Sequence, residues 1–198
     1  MRKPAIASLV AALALSACAG SYTGPAEVTR FVAQNPVNAG NRTIATVVDR
    51  DGGDASFFAS AYEDAVEAEL SQLGYAVNPA DRSGQTAEIR VQRFGIDSAG
   101  RRSPVNVGVG GSTGSYGSGL GLGIGFNLGG GERPREVTEL SVRIRGVGNE
   151  TLWEGRAELV TSDNADLAEP RANAQALAEA LFRGFPGKNG ETITVDVK

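Results

Sequence analysis

The chain has 198 residues, one cysteine, no histidine and a formal net charge of −4. That length suits a single domain with its own core, and the missing imidazole removes Ser-His-Asp triads, histidine metal ligands and any imidazole base. A net acidic balance without a basic run argues against nucleic acid as a partner and against broad electrostatic adsorption to anionic lipid.

The first 17 residues have the three parts of a secretory signal: Arg2 and Lys3, then a run of small and apolar residues, then Leu15-Ser16-Ala17 before Cys18. The apolar run is about half of the roughly 20 residues that a membrane-spanning helix needs. A cysteine directly after Leu-Ser-Ala resembles the bacterial lipobox. The resemblance implies cleavage between Ala17 and Cys18 and a diacylglyceryl group on the Cys18 thiol. Ala19, where aspartate resembles an inner-membrane retention signal, directs the expectation to the outer membrane, with the domain facing the periplasm. Acyl chains contribute roughly 0.8 kcal/mol per buried methylene, so they anchor without a spanning helix. Processing would leave 181 residues with a charge of −6. With its only cysteine acylated, the mature chain has no disulfide to lean on.

Residues 18–27 are rich in Gly, Ser, Thr, Pro and Ala and read as a flexible tether. A single domain is expected over 28–198. Arg30, Phe31 and Val32 read as a short strand, and Thr43 to Val48 as a buried one. The clearest helix follows, capped by Asp54. Its apolar stripe is Phe58, Ala61, Tyr62, Ala65, Val66, Leu70 and Leu73, and Gly74 ends it. Glu63, Asp64, Glu67 and Glu69 read as its solvated side. A strand is expected over Tyr75-Ala-Val-Asn, broken by Pro79.

Residues 87–96 read as a strand, with Ile89 and Val91 opposite Glu88, Arg90 and Gln92. In 137–147, Leu140, Val142 and Ile144 face in while Glu139, Ser141, Arg143 and Arg145 face out. In 152–160, Trp153, Ala157 and Leu159 oppose Glu154, Arg156 and Glu158, with Gly148-Asn149 as the hairpin turn between the two runs. A second helix is expected over about 168–185, with Pro170 in its first turn. A last strand closes the chain over 192–197. Two singly striped helices on one face of a mixed, mostly antiparallel sheet would bury every stripe together, which predicts a two-layer α+β domain.

Residues 100–131 hold 13 of the 27 glycines. Val105, Val107 and Val109 alternate with polar or glycine positions, and so do Leu120, Leu122, Ile124, Phe126 and Leu128. Period two on both arms reads as a glycine-rich hairpin insertion. No strand–loop–helix unit or Gly-Lys-Ser/Thr supports a nucleotide loop. The stretch is either a structural insertion or an interface in which Leu120, Leu122, Ile124 and Phe126 meet a partner protein or the membrane.

Other chemistry is sparse. After Lys3 only Lys188 and Lys198 remain, so a Ser/Lys pair has little to draw on. Asp49, Asp51 and Asp54 look like part of a calcium loop but lack its glycine register and closing glutamate, and read as a turn and helix cap. No catalytic residue, metal site or cofactor is expected.

The lipobox, the helix ending Glu-Leu-Ser-Gln-Leu-Gly74-Tyr75 and the Ala-Glu-Ile-Arg-Val strand (87–91) resemble elements of one Gram-negative lipoprotein group. So do the glycine-rich middle, Leu-Trp-Glu-Gly-Arg-Ala (152–157) and a last helix running into Phe185-Pro186. The group carries the domain of unknown function numbered 4136. The resemblance, over roughly 29–198, implies a periplasm-facing α+β domain without established activity, and it carries over no functional residue beyond Cys18. The resulting expectation is a non-enzymatic outer-membrane lipoprotein that binds or assembles envelope components. The alternative is an accessory lipoprotein of a lipid or solute transport system, using an apolar groove beside the insertion.

Overall fold

The computed structural model describes residues 20–33, 42–49, 55–96, 102–104 and 135–198, with the backbone alone at 55–57 and 103–104. The glycine-rich hairpin, Cys18 and Asp54 lie outside these residues. The elements are β1 (Ala26–Val32), β2 (Thr43–Val48), α1 (Ala55–Gln72), β3 (Ala76–Val77), β4 (Gln85–Ile96) and β5 (Arg102–Pro104). They continue with β6 (Arg135–Arg145), β7 (Thr151–Ser162), a 3-10 turn (Asp166–Ala168), α2 (Pro170–Phe182) and β8 (Glu191–Val195).

The strands form one mixed sheet in the order β3-β2-β4-β6-β7-β1-β8, with β5 added to β4. Pairing is antiparallel except where β2 meets β3 and β4. Both helices pack on one face and against each other. The domain is therefore α+β, as expected. β7 and β8 both run antiparallel to β1, so they are parallel to each other with β1 held between them.

The in-facing set is the one the alternation marks. Leu140, Val142, Ile144, Trp153, Ala157 and Leu159 are fully buried with Ala87 and Ile89, beneath Tyr62, Val66 and Leu70 of α1 and Leu177 and Leu181 of α2. Removing these side chains from water is the main drive to fold, at roughly 1.5–3 kcal/mol for each large one. Trp153 stacks on Phe182 at 5.4 Å and meets Phe185 at 5.2 Å, and its indole N–H donates to the Pro186 carbonyl at 2.9 Å. The ring lies over Gly155, where a Cβ would sit 2.2 Å from the indole edge, so the glycine is required by close approach.

The helix ends follow local rules. Gly74 has φ 91°, the Tyr75 N–H donates to the Leu70 carbonyl and the Gly74 N–H to that of Ser71, which together close a Schellman motif. Glu169 caps α2 by accepting from the Ala172 N–H at 2.9 Å, with Pro170 next. Between the helices, Tyr62 donates to Asn173 at 3.0 Å and Asn173 to the Leu167 carbonyl at 2.8 Å, so a buried polar pair is satisfied.

Three expectations change. The segment read as tether joins the sheet from Tyr22 onward: the Tyr22 N–H donates to Ser162 Oγ, the Ser162 N–H donates back to the Tyr22 carbonyl, and Thr23 bridges Thr161. Glu67 is not merely solvated, because it accepts a 2.6 Å hydrogen bond from Thr46 on β2. Arg30, read only as a strand residue, is 2% exposed on the helix face. Gly187 makes room for it, since a Cβ there would sit 2.9 Å from Arg30 Cδ and 3.1 Å from its guanidinium.

Candidate functional site

The face of the sheet away from the helices carries the second parity of β4, β6 and β7. It forms a groove of about 540 Å³ whose lining includes four arginines (Arg90, Arg143, Arg145, Arg156) and four carboxylates (Asp49, Glu88, Glu139, Glu154). Antiparallel register turns these alternating charges into cross-strand pairs. Arg143 reaches Glu154 at 3.0 Å and Glu88 at 3.8 Å, Arg145 reaches Glu88 at 2.8 Å, and Arg156 reaches Glu139 at 3.4 Å. Arg90 pairs with Asp49, which commits the one described aspartate of the calcium-loop fragment to a guanidinium. The groove has balanced charge, so it presents no single-sign field to draw in a polyion.

One row breaks the pattern of opposite charges. Glu139 faces Glu158 across β6 and β7, and Glu158 faces Glu27 across β7 and β1. Glu139 and Glu158 are each only 8% exposed, against the expectation that both point into solvent. Burial first, and then the Glu158 charge against the pull of Arg156, raises the Glu139 carboxyl above its ordinary value. Glu27 is raised for the same two reasons, burial and Glu158. Arg102, carried in by β5, reaches Glu158 at 2.9 Å and keeps the row from being a bare negative patch. Ser141 donates to Glu139 at 3.3 Å, and no histidine exists in the chain to activate it. Among the described residues no group of His, Cys, Asp and Glu could hold a metal ion.

At the end of the sheet where β6 starts and β7 stops, the same face turns apolar. Ile96, Val137 and Val160 form a second small core, with Phe94 and Tyr22 packed on it. The Arg135 guanidinium lies over the Tyr22 ring at 4.3 Å. Sequence reading missed this cluster. Its signal was present, since Val137 and Val160 are apolar residues on the charged parity of their strands.

Of the residues singled out from sequence, Ala17, Cys18, Leu120, Leu122, Ile124 and Phe126 lie outside the described residues. What can be placed is their attachment. Tyr22, four residues after Cys18, and Pro104 and Arg135, which flank 105–134, belong to this apolar end. Among the described residues no helix is long and apolar enough to cross a membrane.

No family model and no curated protein matches the chain. Among solved structures, the PelC dodecamer from Paraburkholderia phytofirmans is similar at 8% identity and a TM-score of 0.44, over 83% of this chain and 99% of that one. A leucine-to-methionine variant of the same PelC gives 10% identity and a TM-score of 0.40, over 79% of this chain and 94% of that one. A PDZ domain protein from Parabacteroides distasonis gives 14% and 0.47, over 95% of this chain but only 42% of that one.

Proposed function

We propose that the protein is an outer-membrane lipoprotein, held by acyl chains on Cys18 with its domain in the periplasm, that binds or assembles envelope components and is not an enzyme. It would sit with the Gram-negative lipoproteins of the domain of unknown function numbered 4136. The observation that carries the reading is Leu15-Ser-Ala-Cys18 placed four residues ahead of Tyr22, where the chain first joins the sheet. A lipid at Cys18 would therefore hold a folded domain on a leash of about 14 Å at most.

The groove supports a binding role over a chemical one. Its side chains are already paired, so a partner would exchange one set of ion pairs for another, a process that selects shape and register more than it adds affinity.

Metabolic labelling with radioactive palmitate tests the anchor. Label is expected on the wild type and absent from Cys18→Ser, which should stay soluble; unchanged labelling of the variant overturns the reading. Ala19→Asp tests the address, and is expected to move the protein from the outer to the inner membrane fraction.

A further inference from the structure

We infer that the domain stands end-on on the phospholipid surface, with the strand ends at Ile96, Arg135 and Ser162 against the headgroups and the 146–150 hairpin pointing away. The inference rests on the proposal that Cys18 carries the lipid. What it adds is which surface of the domain meets the membrane.

The leash decides the near end. Tyr22 is clasped to Ser162, the last residue of β7, through the Tyr22 N–H to Ser162 Oγ and the Ser162 N–H to the Tyr22 carbonyl, each 2.9 Å. Four residues of chain span ~14 Å at full extension. The 12 residues of β7 run ~36 Å from that clasp to Thr151 and the hairpin beyond it. A lipid on Cys18 thus holds the Ser162 end within reach of the headgroups, and the hairpin lies more than twice the leash length away.

The lateral faces do not suit a headgroup layer. Along α1 run Glu63, Asp64, Glu67 and Glu69, which an anionic surface repels. The groove face would have to surrender the hydration of its ion pairs. The clasped end instead holds Tyr22 with Arg135 over its ring, backed by Phe94, Ile96, Val137 and Val160. An aromatic ring with a cation beside it suits the water–lipid boundary. Pro104 and Arg135 lie at the same end, so the chain enters and leaves the glycine-rich stretch there.

Two cysteine variants of the full lipoprotein test the pose: Asp163→Cys, exposed one residue beyond Ser162, and Val147→Cys, in the far hairpin and 77% exposed. Each is labelled with a fluorescent maleimide and reconstituted in phosphatidylethanolamine–phosphatidylglycerol vesicles containing headgroup-nitroxide lipid. A thioether at Cys18 leaves one reactive thiol per chain. One label per chain, with quenching at 163 and none at 147, is the expected result. One label per chain with equal quenching, quenching only at 147, or none at either site overturns the end-on pose and leaves the anchor intact. Two labels per chain, with protein washed from the vesicles, removes the anchor and the pose with it.

Discussion

Arg30 should be the costliest polar side chain in the domain to remove. Its guanidinium donates to the carbonyls of Leu181 (3.0 and 3.2 Å), Ala180 (3.3 Å) and Arg183 (2.6 Å), and to Glu191 at 3.1 Å. Those carbonyls belong to the last turn of α2 and its cap, which no following turn can satisfy and where the helix dipole is negative. Hydrogen bonds to a charged group are worth about 1.5–3 kcal/mol each, and breaking a buried charged network by removing one partner costs about 3–5 kcal/mol. Arg30→Met keeps most of the stem and deletes the head, so it should lose about 3–5 kcal/mol in urea unfolding of a chain lacking residues 1–18. Arg30→Lys, with a point charge and no fork, should fall between. Glu191→Gln should lose far less, because that carboxylate is reached by water and the backbone carbonyls keep the guanidinium held. A loss below about 1 kcal/mol for Arg30→Met would refute the claim that Arg30 holds the end of α2.

Gly155→Ala puts a methyl 2.2 Å from the Trp153 ring and 2.8 Å from Leu181. It should cost about 1–3 kcal/mol by overpacking and shift Trp153 fluorescence; an unchanged midpoint would mean the ring has free space to move. Tyr62→Phe removes the donor to Asn173 and should cost about 1 kcal/mol, read by thermal unfolding. Glu139→Gln gives a pH test. Because the folded carboxyl is raised, protonation favours the fold, and stability rises as pH falls through the raised value toward the ordinary one. The glutamine variant should therefore be more stable than wild type at pH 7, with the advantage shrinking as pH falls toward 5. An advantage that grows instead would show that the pair with Arg156 dominates the site.

Much of the fold is legible in the sequence because burial imposes a period. Leu140, Val142 and Ile144 announce a half-buried strand, and Gly74 stops a helix where a positive φ is needed. Register and strand order are not legible in this way. Nothing local says that Glu139 will face Glu158, or that β1 will lie between β7 and β8, because those pairings join residues far apart in the chain. Arg30 was opaque for a related reason: its burial depends on Gly187 and on the end of α2, neither of which is near it in sequence. The ion-pair groove was half visible. Alternation placed Arg143, Arg145, Arg156 and Glu154 on one face, but only register makes partners of them. The proposed lipid site shows the opposite balance, since Leu15 to Cys18 would act as a linear pattern that needs no fold to be read.

The place where the chain enters the sheet links the two halves of the proposal. With a lipid on Cys18, any pull on the domain passes through Tyr22 into β1. That strand is not an edge, since β7 and β8 bracket it with antiparallel hydrogen bonds that run across the direction of pull. A tether leading into an edge strand such as β3, only two residues long, would let force open the ladder one bond at a time. Here the bonds on both sides of β1 are loaded together, the Tyr22–Ser162 clasp takes the strain first, and Arg30 ties the far part of β1 to α2 and β8. A domain without a disulfide can then bear its anchor through topology.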